Sequence, residues 1–166
     1  MKKFFKFYDI LLTGLGHFTC ILAFLLMFVV SYEVVLRYFF NNPTDWAYSV
    51  STFLVLSITL MAAAWVLREG AHVAIDLVTS TLSPASKALT GFITSCVGAI
   101  VCAIFTWQGI AATIESYRQQ YTIISGIYVP EYTVLWIIPF GMLLLTIQFA
   151  RIAGNELRDF RSSSSK

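Results

Sequence analysis

Four stretches of this chain, residues 10–32, 46–67, 88–114 and 132–150, contain no Asp, Glu, Lys or Arg. About 20 consecutive apolar residues carry a helix across the hydrocarbon core of a bilayer, and each stretch reaches or nearly reaches that length. The segments are read as helices because backbone N–H and C=O groups in lipid have no partner unless the segment pairs them itself. The composition agrees. The chain is 58% hydrophobic and 12% charged, with a mean hydropathy of +0.76, whereas a soluble domain carries about 25% charged residues. The expected fold is all-α and integral to the membrane, with four transmembrane helices over about 10–36, 46–67, 88–114 and 132–150. They form one domain, residues 1–155, followed by a flexible tail over 156–166.

The basic start MKKFFKF resembles the front of a secretory signal. The apolar run behind it exceeds the ~7–15 residues of a signal core, and no A-x-A-like cleavage site follows, so the first run is expected to stay as a span. Orientation follows from Lys and Arg. Lys2, Lys3, Lys6, Arg68, Lys87, Arg151, Arg158, Arg161 and Lys166 fall on one side of the four spans, and only Arg37 and Arg118 on the other. The positive-inside rule puts the first group, both termini and the 68–87 loop in the cytoplasm. Trp46, Trp107, Tyr121, Tyr128, Tyr132 and Trp136 lie near the opposite span ends, as an interfacial aromatic belt would. A net charge of +2 gives no ground for a nucleic-acid partner. Cys20, Cys96 and Cys102 all fall within spans, without C-x-x-C spacing, and are expected to act as small hydrophobes.

Between spans two and three, LREGAHVAID gathers Arg68, Glu69, His72 and Asp76. His72 and Asp76 share a helix face, but a metal site needs three or four ligands, and the other histidine, His17, lies in span one. A general base here would have no nucleophile or pocket to serve. A turn in water explains more. Arg68 and Glu69 meet the aqueous phase, Gly70 permits a change of direction, and AHVAIDLVTSTL forms a short interfacial helix with Val73, Leu77, Val78 and Leu82 on its apolar side. Glu33 and Arg37 stand one helical turn apart with the acid N-terminal, the better orientation for a pair. They are expected to form a structural clamp, the alternative being ion or proton transport. Glu115 and Arg118 suggest a second pair. In span three Gly91, Ser95, Ala99 and Ala103 recur at four-residue intervals, a small-residue stripe that lets helices approach closely. No span carries a Gly/Pro break flanked by polar side chains, the usual mark of a transporter binding site. Catalytic, substrate-binding and metal residues are therefore expected to be absent from this chain.

LRYFFNNPTDW, an apolar span, and then LREGAHVAIDL together resemble the small membrane subunit of tripartite ATP-independent periplasmic (TRAP) transporters, the DctQ-like family. The matching residues are Arg37, Tyr38, Asn42, Pro43 and Trp46, then Arg68, Gly70, His72 and Asp76, with Pro130 as the proline before helix four. The likeness covers about residues 8–155. One departure is that Ala47, Tyr48, Ser49 and Val50 follow Trp46, where family members often carry a Glu. The resemblance implies a non-catalytic subunit of the inner membrane, without a cofactor of its own, bracing the scaffold of a large multi-span elevator subunit. That large subunit would hold the Na⁺ and substrate sites, and a periplasmic binding protein would deliver an organic acid. Two other classes compete. A haem or quinone anchor would want histidines facing each other within the bilayer, and His17 and His72 lie near or beyond its inner boundary. A self-sufficient small exporter or channel would transport alone.

The charge asymmetry makes a topological prediction. In a background lacking the three native cysteines, single cysteines at 41 and 42 should react with an impermeant thiol reagent applied to intact cells. A cysteine at position 72 should not, and labelling there would reverse the orientation.

Overall fold

The computed structural model describes residues 2–42, 44–69, 84–124 and 128–163. Its elements, in chain order, are α1 (Lys2–Phe39), α2 (Asp45–Arg68), α3 (Pro84–Gln119), β1 (Thr122–Ile124), β2 (Tyr128–Pro130), α4 (Tyr132–Leu135) and α5 (Ile137–Ser163). Four helical stretches, with α4 and α5 together making the fourth, are long and apolar enough to cross a membrane. The helices outrun the apolar runs that announce them. α1 has 38 residues, about 57 Å at 1.5 Å per residue, against a hydrocarbon core of about 30 Å. Lipid dictates where charge is excluded, not where a helix stops. For the same reason α5 keeps helical backbone through Ser163, well into the stretch that the sequence suggested as a loose tail. The interfacial helix expected from residues 71–82 lies outside the described residues.

The ends of α1 and α3 have a local cause. Asn41, with φ of 51°, takes the left-handed conformation that asparagine tolerates better than most residues. This turn brings the Asn42 amide back to the Leu36 carbonyl at 3.1 Å. Gln120, with φ of 53°, closes α3 in the same way, the Tyr121 amide reaching the Ser116 carbonyl, as a C-terminal helix cap requires. A short antiparallel ladder, β1 with β2 and Ile123 opposite Val129, then leads into α4. The sequence reading did not anticipate this ladder. The interruption between α4 and α5 falls at Trp136, one turn before Pro139, whose ring nitrogen cannot donate to the Leu135 carbonyl.

The helices pack in a row rather than a closed bundle. α1 lies against α2, α2 against α5, and α5 against α3. At the end nearest the N-terminus, α1 also reaches α5. There Tyr8, Leu12, Ala64 and Leu144 form a buried cluster, and the Tyr8 hydroxyl donates to the Leu144 carbonyl at 2.7 Å. The outer members of the row, α1 and α3, leave large apolar side chains exposed, among them Phe24, Phe28, Ile104 and Trp107.

Lipid is as apolar as leucine, so helices in it associate through close packing. One tight approach is that of α5 to the α2 backbone at Gly141. A Cβ added at Gly141 would lie 2.7 Å from Leu60 Cβ and 3.0 Å from its carbonyl oxygen, and backbone cannot step aside as a side-chain tip can. Gly141→Ala should therefore destabilise the fold by about 1–3 kcal/mol through overpacking. Gly14→Ala, with nothing within 4 Å, should be neutral or slightly stabilising. Unfolding of the two variants in the same detergent checks the difference, and equal stability would mean that the α2–α5 contact is looser than described.

Candidate functional site

The hydroxyls inside the spans are largely satisfied by their own helices. Thr19 donates to Leu15, Ser57 to Phe53, Thr106 to Cys102 and Thr146 to Met142, each to the carbonyl four residues back. This back-bonding leaves little polar surface for a substrate at mid-membrane. The exception is Gln148 in α5, whose buried Oε1 has no hydrogen-bond partner among the described residues. The other polar side chains of note gather at the two ends of the row.

At the end away from the termini, α1 and α2 are tied by Glu33. Its carboxylate accepts from Arg37 Nη2 at 2.7 Å and Nε at 3.1 Å. It also accepts from the Thr44 amide at 3.2 Å and from the Thr44 hydroxyl. Thr44 is the N-cap of α2, and its own side chain makes no capping bond. Glu33 thus caps a helix it does not belong to, placing negative charge at the positive end of the α2 dipole. The Glu33 side chain is 13% exposed and that of Arg37 is 54% exposed, so the acid is enclosed while the base reaches outward. The Tyr32 and Trp46 rings meet beside it with centroids 6.0 Å apart. Asn42 is exposed, and Pro43 lies outside the described residues. Glu115 does not pair with Arg118 as its spacing suggested. It accepts from Gln119 instead, one turn further on in an exposed stretch where an ion pair would gain little.

At the other end three helices meet on Asp9. Its carboxylate accepts from Arg151 of α5 at 2.5 and 3.2 Å, and the Arg151 guanidinium also lies 5.2 Å over the Phe5 ring. Arg68 of α2 does not simply turn out to water as its place at a span end suggested. It donates to the Asp9 carbonyl at 2.8 Å and to Thr13 Oγ1 at 2.9 Å, while keeping Glu69 at 3.1 Å. A span-end arginine lowers its cost by finding carbonyls and carboxylates near the boundary rather than standing alone. Gly70, His72 and Asp76 lie outside the described residues. His17 Nδ1 sits 2.8 Å from the Thr13 carbonyl, and among the described residues no group of three His, Cys, Asp or Glu could hold a metal.

Along α3 the contact with α5 runs through Gly91, Ser95, Gly98, Cys102, Thr106 and Gly109. Gly91 faces Glu156, Gly98 faces the Phe149 ring, and Gly109 faces Pro139, while Ser95, Cys102 and Thr106 are buried. Of the four-residue stripe, Gly91 and Ser95 are on this face, Ala99 is half-buried beside it, and Ala103 is exposed. Each four-residue step overshoots a full turn by about 40°, so a strict repeat winds off a straight contact within a few turns.

The protein-family model described as Tripartite ATP-independent periplasmic transporters, DctQ component, matches residues 26–159. The chain belongs to the DctQ family. It is thus a multi-pass membrane protein in a family of transporter components rather than of enzymes. A comparison with curated proteins returned no match. The matched region of this DctQ chain contains the Glu33 clamp, the α3–α5 face and Arg151, and begins after Tyr8 and Asp9.

Sequence reasoning passed over Asp9, Tyr8 and Arg151 as a group. A signal was there: Asp9 is an acid at the mouth of a span on the side where Lys and Arg dominate, and Arg151 closes span four at the same level. If the pair holds α1 to α5, a double-mutant cycle of Asp9→Ala and Arg151→Ala should return a coupling of about 0.5–3 kcal/mol in detergent unfolding. A coupling near zero would reduce the contact to an ordinary surface pair.

Proposed function

We propose that this DctQ component is the small membrane subunit of a Na⁺-coupled, binding-protein-dependent transporter of organic acids, and that it braces the stationary scaffold of the large elevator subunit. In this reading it binds neither substrate nor Na⁺, needs no cofactor, and catalyses nothing. It sits in the cytoplasmic (inner) membrane with both termini in the cytoplasm. Its partners are the large multi-span subunit, a periplasmic substrate-binding protein and membrane lipid.

The observation that carries the reading is where the polar chemistry is spent. Glu33, Arg37, Arg68, Asp9 and Arg151 bond to one another or to neighbouring helix backbone. The hydroxyls in the spans bond mostly back to their own turns. A subunit that moved an ion would keep some of these groups open at mid-depth. Here they tie helix to helix at the two ends, which suits a part whose task is to hold its shape. The apolar sides of α1 and α3 supply surface for lipid and for a larger neighbour.

The test is reconstitution. This chain alone in liposomes should show no Na⁺-driven uptake, and it should co-purify with a large multi-span subunit from its native membrane. Together with that subunit and a binding protein, uptake should appear. Substantial Na⁺-coupled uptake by the isolated chain would overturn the scaffold role.

A further inference from the structure

We propose that the cleft between the first turns of α1 and the last turns of α5 binds the phosphate of an anionic phospholipid. This rests on the chain spanning a membrane and is independent of what the complex transports. The cleft holds about 500 Å³, and its polar lining is Lys6, Asp9, Arg151, Asn155 and Arg158. Asp9 is neutralised by Arg151, whose guanidinium is also steadied over Phe5. Lys6 and Arg158 are exposed and form no ion pair with a described residue. The cleft therefore presents an amide and two cations that no described acid neutralises. Nothing lies within 4 Å of where a Gly154 Cβ would stand, which leaves its wall open to a headgroup.

Depth and shape favour lipid over a dissolved anion. Ala150, the last residue of the fourth charge-free run, lines the cleft, so the cations begin where hydrocarbon gives way to headgroups. Basic pockets between helices at that level suit phosphate headgroups. A second groove, of about 440 Å³, runs along the other flank of α1 past Ile10, Gly14 and His17, and Lys6 and Asp9 line both. Gly14 also has nothing within 4 Å, so an acyl chain can lie along this groove while the headgroup stays between Lys6 and Arg158. A free phosphate would use only the first.

The experiment is native mass spectrometry of the full chain in micelles containing phosphatidylglycerol and phosphatidylethanolamine. The wild-type chain should retain phosphatidylglycerol preferentially. Each interfacial cation contributes roughly fivefold, so Lys6→Gln with Arg158→Gln should weaken that retention roughly twenty-five-fold. Arg118→Gln, which removes a cation from the far end of α3, should leave it unchanged. Both cations are exposed, so the double variant should unfold at the wild-type temperature. Equal retention of phosphatidylglycerol by the double variant would overturn the site. Displacement of the lipid by millimolar inorganic phosphate would reassign it to a free anion and equally defeat the proposal.

Discussion

Every backbone amide and carbonyl that enters the bilayer must find its partner in the chain itself, and the rest of this molecule follows from that requirement. It makes four long helices obligatory. It also makes their ends the difficult places, because there the i→i−4 ladder runs out while water is only just within reach. The chain's most elaborate hydrogen bonding is found at those ends. Glu33 supplies the acceptor that the first turn of α2 lacks, the left-handed Asn41 and Gln120 fold the amides after them back onto carbonyls near the helix ends, and Arg68 finds both the Asp9 carbonyl and Thr13. In the membrane interior the same rule turns serine and threonine inward onto their own helices.

Between the ends, cohesion has another source. The helices cannot be driven together by expelling water, so they rely on shape. Gly141 against the Leu60 backbone, Gly98 under the Phe149 ring and Gly109 beside Pro139 are places where a missing side chain lets two helices touch. α5 takes part in all three and, like α2, has a partner on either side in the row. The polar ties at the ends set register, and the glycine contacts set spacing.

Much of this was legible in the sequence because the strongest signal, the absence of charge over a span's length, is local. The family resemblance rested on motifs that follow span one and span two in the chain. Separately from them, the Glu33–Arg37 spacing pointed to a pair, while Thr44 as its third member could not be read from periodicity. The Asp9–Arg151 tie joins residues far apart in the chain, and finding it needed the topology first and the pairing second. The stripe on α3 was read with a period of four where a helix has 3.6, so its far end slipped off the contact. The β1–β2 ladder was missed because membrane reasoning attends to what lies in lipid, and Thr122–Ile124 and Tyr128–Pro130 follow the last turn of α3.

The spatial order of the row, α1–α2–α5–α3, differs from the order of synthesis. A ribosome feeding this chain into a membrane delivers α1 and α2 as neighbours that can pair at once. α3 arrives next and finds its eventual partner not yet made, so it waits in lipid with Gly91, Gly98 and Gly109 uncovered. Only when α5 enters between α2 and α3 are Leu60 and Phe149 both engaged. α5, which follows both of its neighbours in the chain, is therefore the keystone of the row, and these four spans are closed from the middle rather than from the edge.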